Sequence, residues 1–127
     1  MREYTTQMEA ARKGIITPEL KAVATKEFRT EEELRTLVAK GQVVICANKL
    51  HTCIDPNGIG SMLRTKINVN LGVSRDCNDY DIELQKVMSA VDLGAEAIMD
   101  LSSHGNTQPF RKYLVEKCPA MIGTVPV

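Results

Sequence analysis

Three groups of residues in this chain have types and spacing that could do chemistry. The first is Asn68-Val69-Asn70, where two carboxamides share a face with Lys66 while Ile67, Val69 and Leu71 fill the other. Period-two alternation marks a strand with two unlike faces. Asparagine is depleted in strands because its amide competes with the backbone ladder, so two in one short strand point to a polar, specific contact, with a solvated edge as the alternative. The second group lies at the carboxyl ends of three strands: Asn70 and Gly72, then Met99, Asp100, Ser102 and Ser103, then Thr124 and Pro126. Amides, hydroxyls and one carboxylate make a hydrogen-bonding surface for a polar small molecule, but not a catalytic engine. The third is Asn48, Lys49 and His51, in a polar loop whose Asp55-Pro56-Asn57-Gly58 reads as a turn. Turn chemistry explains Asp55 and Asn57 but not the other three.

Other chemistries lack their parts. No Ser or Cys sits in a nucleophile elbow, and Gly58-Ile59-Gly60 is too short to cradle a dinucleotide. Cys46, Cys53, Cys77 and Cys118 form no C-x-x-C pair, so free thiols are expected rather than a zinc or iron–sulfur site within this chain. His51 and His104 have no partner histidine at helical spacing. Lys+Arg and Asp+Glu are both 16, so no net basic field exists to hold a nucleic acid. Residues 1–13 do not read as a leader and no apolar run is long enough for a bilayer, so the expected address is cytoplasmic, off the membrane.

The elements that must position these groups fall in two stretches. Residues 1–62 read as a helical region with one strand and the polar loop. Thr6 with Glu9 and Thr30 with Glu33 are capping boxes, and Thr17-Pro18-Glu19 opens a helix between them. Leu20, Val23, Leu34, Leu37 and Val38 give apolar stripes, and residues 42–46 an apolar strand. Residues 63–127 read as strand, helix, strand, helix, strand. A strand over 66–71 precedes a helix of about 14 residues starting near Asp79, with Ile82, Val87, Met88 and Val91 on its buried side. The apolar strand 97–101 leads to a helix over 109–117 that packs Phe110, Tyr113 and Leu114, and a third strand starts at Met121. The expected class is α/β, a short N-terminal helical region followed by the first βαβαβ part of an incomplete (β/α)8 barrel. A full barrel needs about 250 residues, and 63 lie between Thr65 and Val127.

Taken together, six ordered motifs resemble the front part of the ThiC family: Thr6-Gln7-Met8-Glu9-Ala10-Ala11-Arg12, Gly14-Ile15-Ile16-Thr17-Pro18-Glu19, Gly58-Ile59-Gly60, the stretch from Leu63 to Gly72, Met99-Asp100-Leu101-Ser102 and Gly123-Thr124-Val125-Pro126. The resemblance implies a radical SAM lyase on a (β/α) barrel that rearranges aminoimidazole ribotide into hydroxymethylpyrimidine phosphate for thiamine. It implies that Asn70 and Met99 contact substrate and that the full-length protein is a homodimer. It also implies S-adenosylmethionine, an iron–sulfur cluster and zinc, with the metal ligands further on than Val127. These 127 residues alone should therefore be inactive. Where the family reads P-A-N-I-N-H, N-A-N-I-G and D-L-S-T-G-G, this chain has Cys46-Ala47-Asn48-Lys49-Leu50-His51, Asn68-Val69-Asn70-Leu71-Gly72 and Asp100-Leu101-Ser102-Ser103-His104-Gly105. Those departures keep open a sister branch, the 5-hydroxybenzimidazole synthases of anaerobic cobamide biosynthesis, which start from the same ribotide. An inactive truncated binding domain is the remaining alternative.

Overall fold

A computed structural model describes residues 3–125, so the expected roles of Pro126 and Val127 at the third strand lie outside the described residues. The described chain divides into two compact units. One holds the residues up to Ala47 with Pro56–Thr65; the other holds Asn48–Asp55 with the residues from Lys66 onward.

The first unit contains helices α1 (Gln7–Arg12), α2 (Pro18–Lys26) and α3 (Glu31–Ala39), and strands β1 (Val43–Cys46) and β2 (Asn57–Gly60). Each helix starts at a threonine whose hydroxyl accepts a backbone N–H of the first turn: Thr6 from Glu9, Thr17 from Leu20, Thr30 from Glu33. The Thr30–Glu33 box is complete. In α1 the reciprocal half is displaced, because the Glu9 carboxylate accepts from the backbone of Thr5 rather than Thr6. Hydrogen bonds from the Lys13 ammonium and from Thr5 hold the Glu9 carboxyl down to about 2. Leu20, Val23, Leu34, Val38 and Val43 are almost fully buried together, each stabilising by about 1.5–3 kcal/mol relative to exposure.

The turn expected at Asp55-Pro56-Asn57-Gly58 is not what forms. Asn57 and Gly58 pair antiparallel with Cys46 and Ile45 as the start of β2. Gly58 lies so close to the core that a Cβ would come within 2.8 Å of both Val23 and Leu63. Close packing, not turn propensity, therefore selects the backbone there.

The second unit contains β3 (Asn68–Leu71), α4 (Tyr80–Asp92), β4 (Ala97–Asp100), α5 (Thr107–Lys117) and β5 (Met121–Thr124). The strands form a parallel sheet in the order β3-β4-β5. Leu71 and Ile98 are buried with Val87 and Ala90 of α4 and Phe110 and Leu114 of α5, and Val69 and Ile122 join them. All four strand residues point to one side by alternation, so both helices cover the same face of the sheet.

Three expectations for the apolar stripes are corrected. Ile82 and Met88 of α4 are 46% and 45% exposed, and Tyr113 of α5 is 43% exposed. The side of α4 that meets the sheet is Glu83, Val87 and Ala90, an i, i+4, i+7 row with a carboxylate at its head. Among the described residues no helix is long and apolar enough to cross a membrane.

Candidate functional site at the strand ends

Parallel register sets Asn70 beside Met99 and Met99 beside Gly123. With neighbouring strands about 4.8 Å apart, the three positions span about 10 Å. They alternate with Leu71, Ile98 and Ile122 and so share the face that no helix of this unit covers. Asn68 lies two residues before Asn70 on that face, and its Nδ2 donates to Asn70 Oδ1 at 2.8 Å. Both asparagines are exposed and Met99 is half-buried. The Met99 thioether lies over Gly123, where a Cβ would meet Sδ and Cε at 2.9 Å. A side chain at that position would push the flexible end of the methionine aside. The arrangement offers a carboxamide and a polarisable sulfur side by side, suited to binding and orienting a polar molecule with an apolar ring face.

Asp100 and Ser102 do not belong to that open surface, contrary to the expectation for them. The period of two turns Asp100 to the helix side, where it is fully buried. Arg111 Nε donates to Asp100 Oδ2 at 2.6 Å, and the Ser102 backbone donates to Oδ1 at 2.9 Å. Burial pushes the Asp100 carboxyl up, but hydrogen bonds from Ser102 and Arg111 outweigh it and hold the group below its ordinary value. Ser102 is buried as well, and its Oγ accepts from Val73 N at 3.0 Å.

A second buried carboxylate, Glu83, accepts from Gly72 N at 2.8 Å and from the Lys86 ammonium at 2.5 Å. Leu101 N donates to Leu71 O and Ser103 N to Val73 O, so the segments leaving β3 and β4 are laced together. Gly72 makes the lacing possible: at φ +148°, a Cβ there would sit 2.5 Å from Ser102 N. These contacts tie together the segments that directly follow the strands carrying Asn70 and Met99. Sequence reasoning missed Glu83 and Arg111. The available signal was a glutamate on the row that should have been apolar.

The polar loop has structural work. Asn48 Oδ1 accepts from Leu50 N at 2.9 Å, closing an Asx turn. His51 is buried and its Nε2 donates to Cys118 O at 2.6 Å, fastening the loop to the end of α5. Lys49 is exposed and nothing in the structure explains it. His104 is exposed, and its carbonyl accepts from the Tyr80 hydroxyl at 3.3 Å. A groove of about 640 Å³ beside β3 is lined mainly by apolar side chains, Ile67, Val69, Ile82 and Leu93, with Gln85, Lys86 and Ser89 also on its wall. Among the described residues no three His, Cys, Asp or Glu side chains gather to hold a metal ion.

A profile of the radical SAM ThiC family matches residues 6–127. Phosphomethylpyrimidine synthase of Alkaliphilus oremlandii is 62% identical over 125 residues, covering 98% of this chain and 29% of that protein. Proteins of the same name from Clostridium botulinum (strain Hall) and Clostridium kluyveri are each 59% identical over 124 residues, covering 98% of this chain and 28% of theirs. The chain thus spans under a third of the length of these relatives.

Proposed function

Because this chain belongs to the radical SAM ThiC family, we propose that it is the substrate-binding front part of a lyase that converts aminoimidazole ribotide to hydroxymethylpyrimidine phosphate in thiamine biosynthesis. The observation that carries the reading is the row Asn70, Met99, Gly123 on the uncovered face of the sheet, at the carboxyl ends where parallel α/β proteins bind ligands. Asn70 and Met99 contact the ribotide in this reading, and the buried Glu83 and Asp100 keep their strands in register. The pyrimidine product is favoured over the benzimidazole because the similar proteins above carry the pyrimidine name.

A (β/α)8 barrel is the architecture that best accounts for the sheet. Helices on one face leave the other to become a barrel interior, and β3 and β5 each have one strand neighbour among the described residues. The apolar groove of Ile67 and Ile82 along β3 suits a further βα unit. S-adenosylmethionine, the iron–sulfur cluster and zinc belong to the rest of the full-length protein, a cytoplasmic homodimer, so the 127 residues alone are inactive. Expressed by themselves, they leave two strand edges open and should aggregate on size-exclusion chromatography. A stable monomer would count against the barrel.

The test is turnover. Full-length protein, reconstituted anaerobically and given aminoimidazole ribotide and S-adenosylmethionine, should yield hydroxymethylpyrimidine phosphate by mass spectrometry. 5-Hydroxybenzimidazole would move it to the sister branch, and absence of ribotide binding would overturn the reading.

A further inference from the structure

We infer that Asn68 is a positioning residue that fixes which end of the Asn70 carboxamide meets the ligand, and hence that the ligand presents a hydrogen-bond acceptor there. The inference rests on the proposed ribotide site and deepens it.

A carboxamide has two unlike ends: an oxygen that only accepts and an NH2 that only donates. On a strand face with no further constraint the two ends exchange by a half-turn of χ2, and the residue recognises donors and acceptors alike. Asn70 is constrained. Asn68, two residues earlier on the same face, directs its Nδ2–H at Asn70 Oδ1 at 2.8 Å. With Oδ1 engaged along the strand, the NH2 is the end that Asn70 turns to the face it shares with Met99 and Gly123. A hydroxyl, a phosphate oxygen or an unprotonated ring nitrogen is accepted there, and a ribotide carries all three. A ligand offering an amine or guanidinium at that point meets two N–H groups and is rejected. This also gives the paired asparagines of the strand a physical reason. One binds, and the other sets its polarity and removes a rotamer that binding would otherwise have to freeze.

Asn68 is exposed and outside the apolar core, so its replacement separates recognition from folding. The experiment measures aminoimidazole ribotide affinity by calorimetry on the full-length protein, with thermal unfolding of each variant alongside. Asn70→Ala should weaken binding about tenfold, and Asn68→Ala about fivefold, the scale of one hydrogen bond. Asn68→Val, which keeps strand propensity but cannot donate, should match Asn68→Ala. The double variant Asn68→Ala/Asn70→Ala should bind no more weakly than Asn70→Ala alone, because Asn68 acts only through Asn70. Unfolding midpoints should stay within about a degree of wild type. Additive losses in the double variant would overturn the inference, as would unchanged affinity in Asn68→Ala while Asn70→Ala binds weakly; both results leave the site reading standing. Unchanged affinity in Asn70→Ala removes the site reading itself.

Discussion

The helical unit and the parallel-sheet unit put their polar side chains to different uses. In the first, most polar groups serve helix ends: Thr6, Thr17 and Thr30 cap, Glu33 closes a box, and the core is aliphatic, with one buried carboxylate, Glu27, that accepts from Arg64 N at 2.8 Å. In the second, two carboxylates are buried outright, Glu83 and Asp100, each bonded to the backbone of a segment leaving a strand. A buried carboxylate contributes little net stability, but it makes one geometry far better than its neighbours. The unit that must hold Asn70 and Met99 side by side is the one built that way. Aliphatic packing does most of that work in the other.

The largest effect expected from that contrast is in Arg111→Ala. It leaves Asp100 buried without its guanidinium and should cost about 3–5 kcal/mol in denaturant unfolding of the full-length protein. A loss below 1 kcal/mol would erase the distinction between the units. The same pair predicts a pH dependence. Asp100 holds its proton less tightly folded than unfolded, so its stabilisation is complete above the ordinary carboxylate value near 4 and is lost as pH falls through its lowered folded value. Asp100→Asn should therefore be less stable than wild type at pH 7 and lose less between pH 6 and 3. Leu34→Ala, in the aliphatic core of the other unit, should cost about 2–5 kcal/mol with no change in pH dependence. Asn70→Ala should alter ribotide affinity and leave unfolding untouched. Smallest, Thr30→Ala removes the complete capping box and should cost about 1 kcal/mol, measured in the same way.

Much of this was legible in the chain. Threonine caps, apolar stripes and alternation over Ile67, Val69 and Leu71 are local signals, and the starts of the five described helices were located within two residues. α4, for instance, begins one residue after its Asp79 cap. Asn57–Gly60 was misread because Asn-Gly is a turn signal, while the force that extends it is packing against Val23 and Leu63, distant in sequence. Ile82 and Met88 were misassigned because a helix with apolar residues on several sides does not announce which row meets the sheet. That Asp100 is a buried brace rather than a ligand contact follows from parity, but only once β4 is known to pack its Ile98 face against the helices.

The sequence by itself determined the order of elements, the helix ends and the polar character of the strand carrying Asn68 and Asn70, because caps and alternation act between residues within a few positions. Only the tertiary structure decided that Asn70, Met99 and Gly123 form one row. Their adjacency depends on the register of three parallel strands, set by how α4 and α5 bury Val87, Phe110 and Leu114 against the sheet. A one-residue slip of any strand would reverse its faces and dissolve the row.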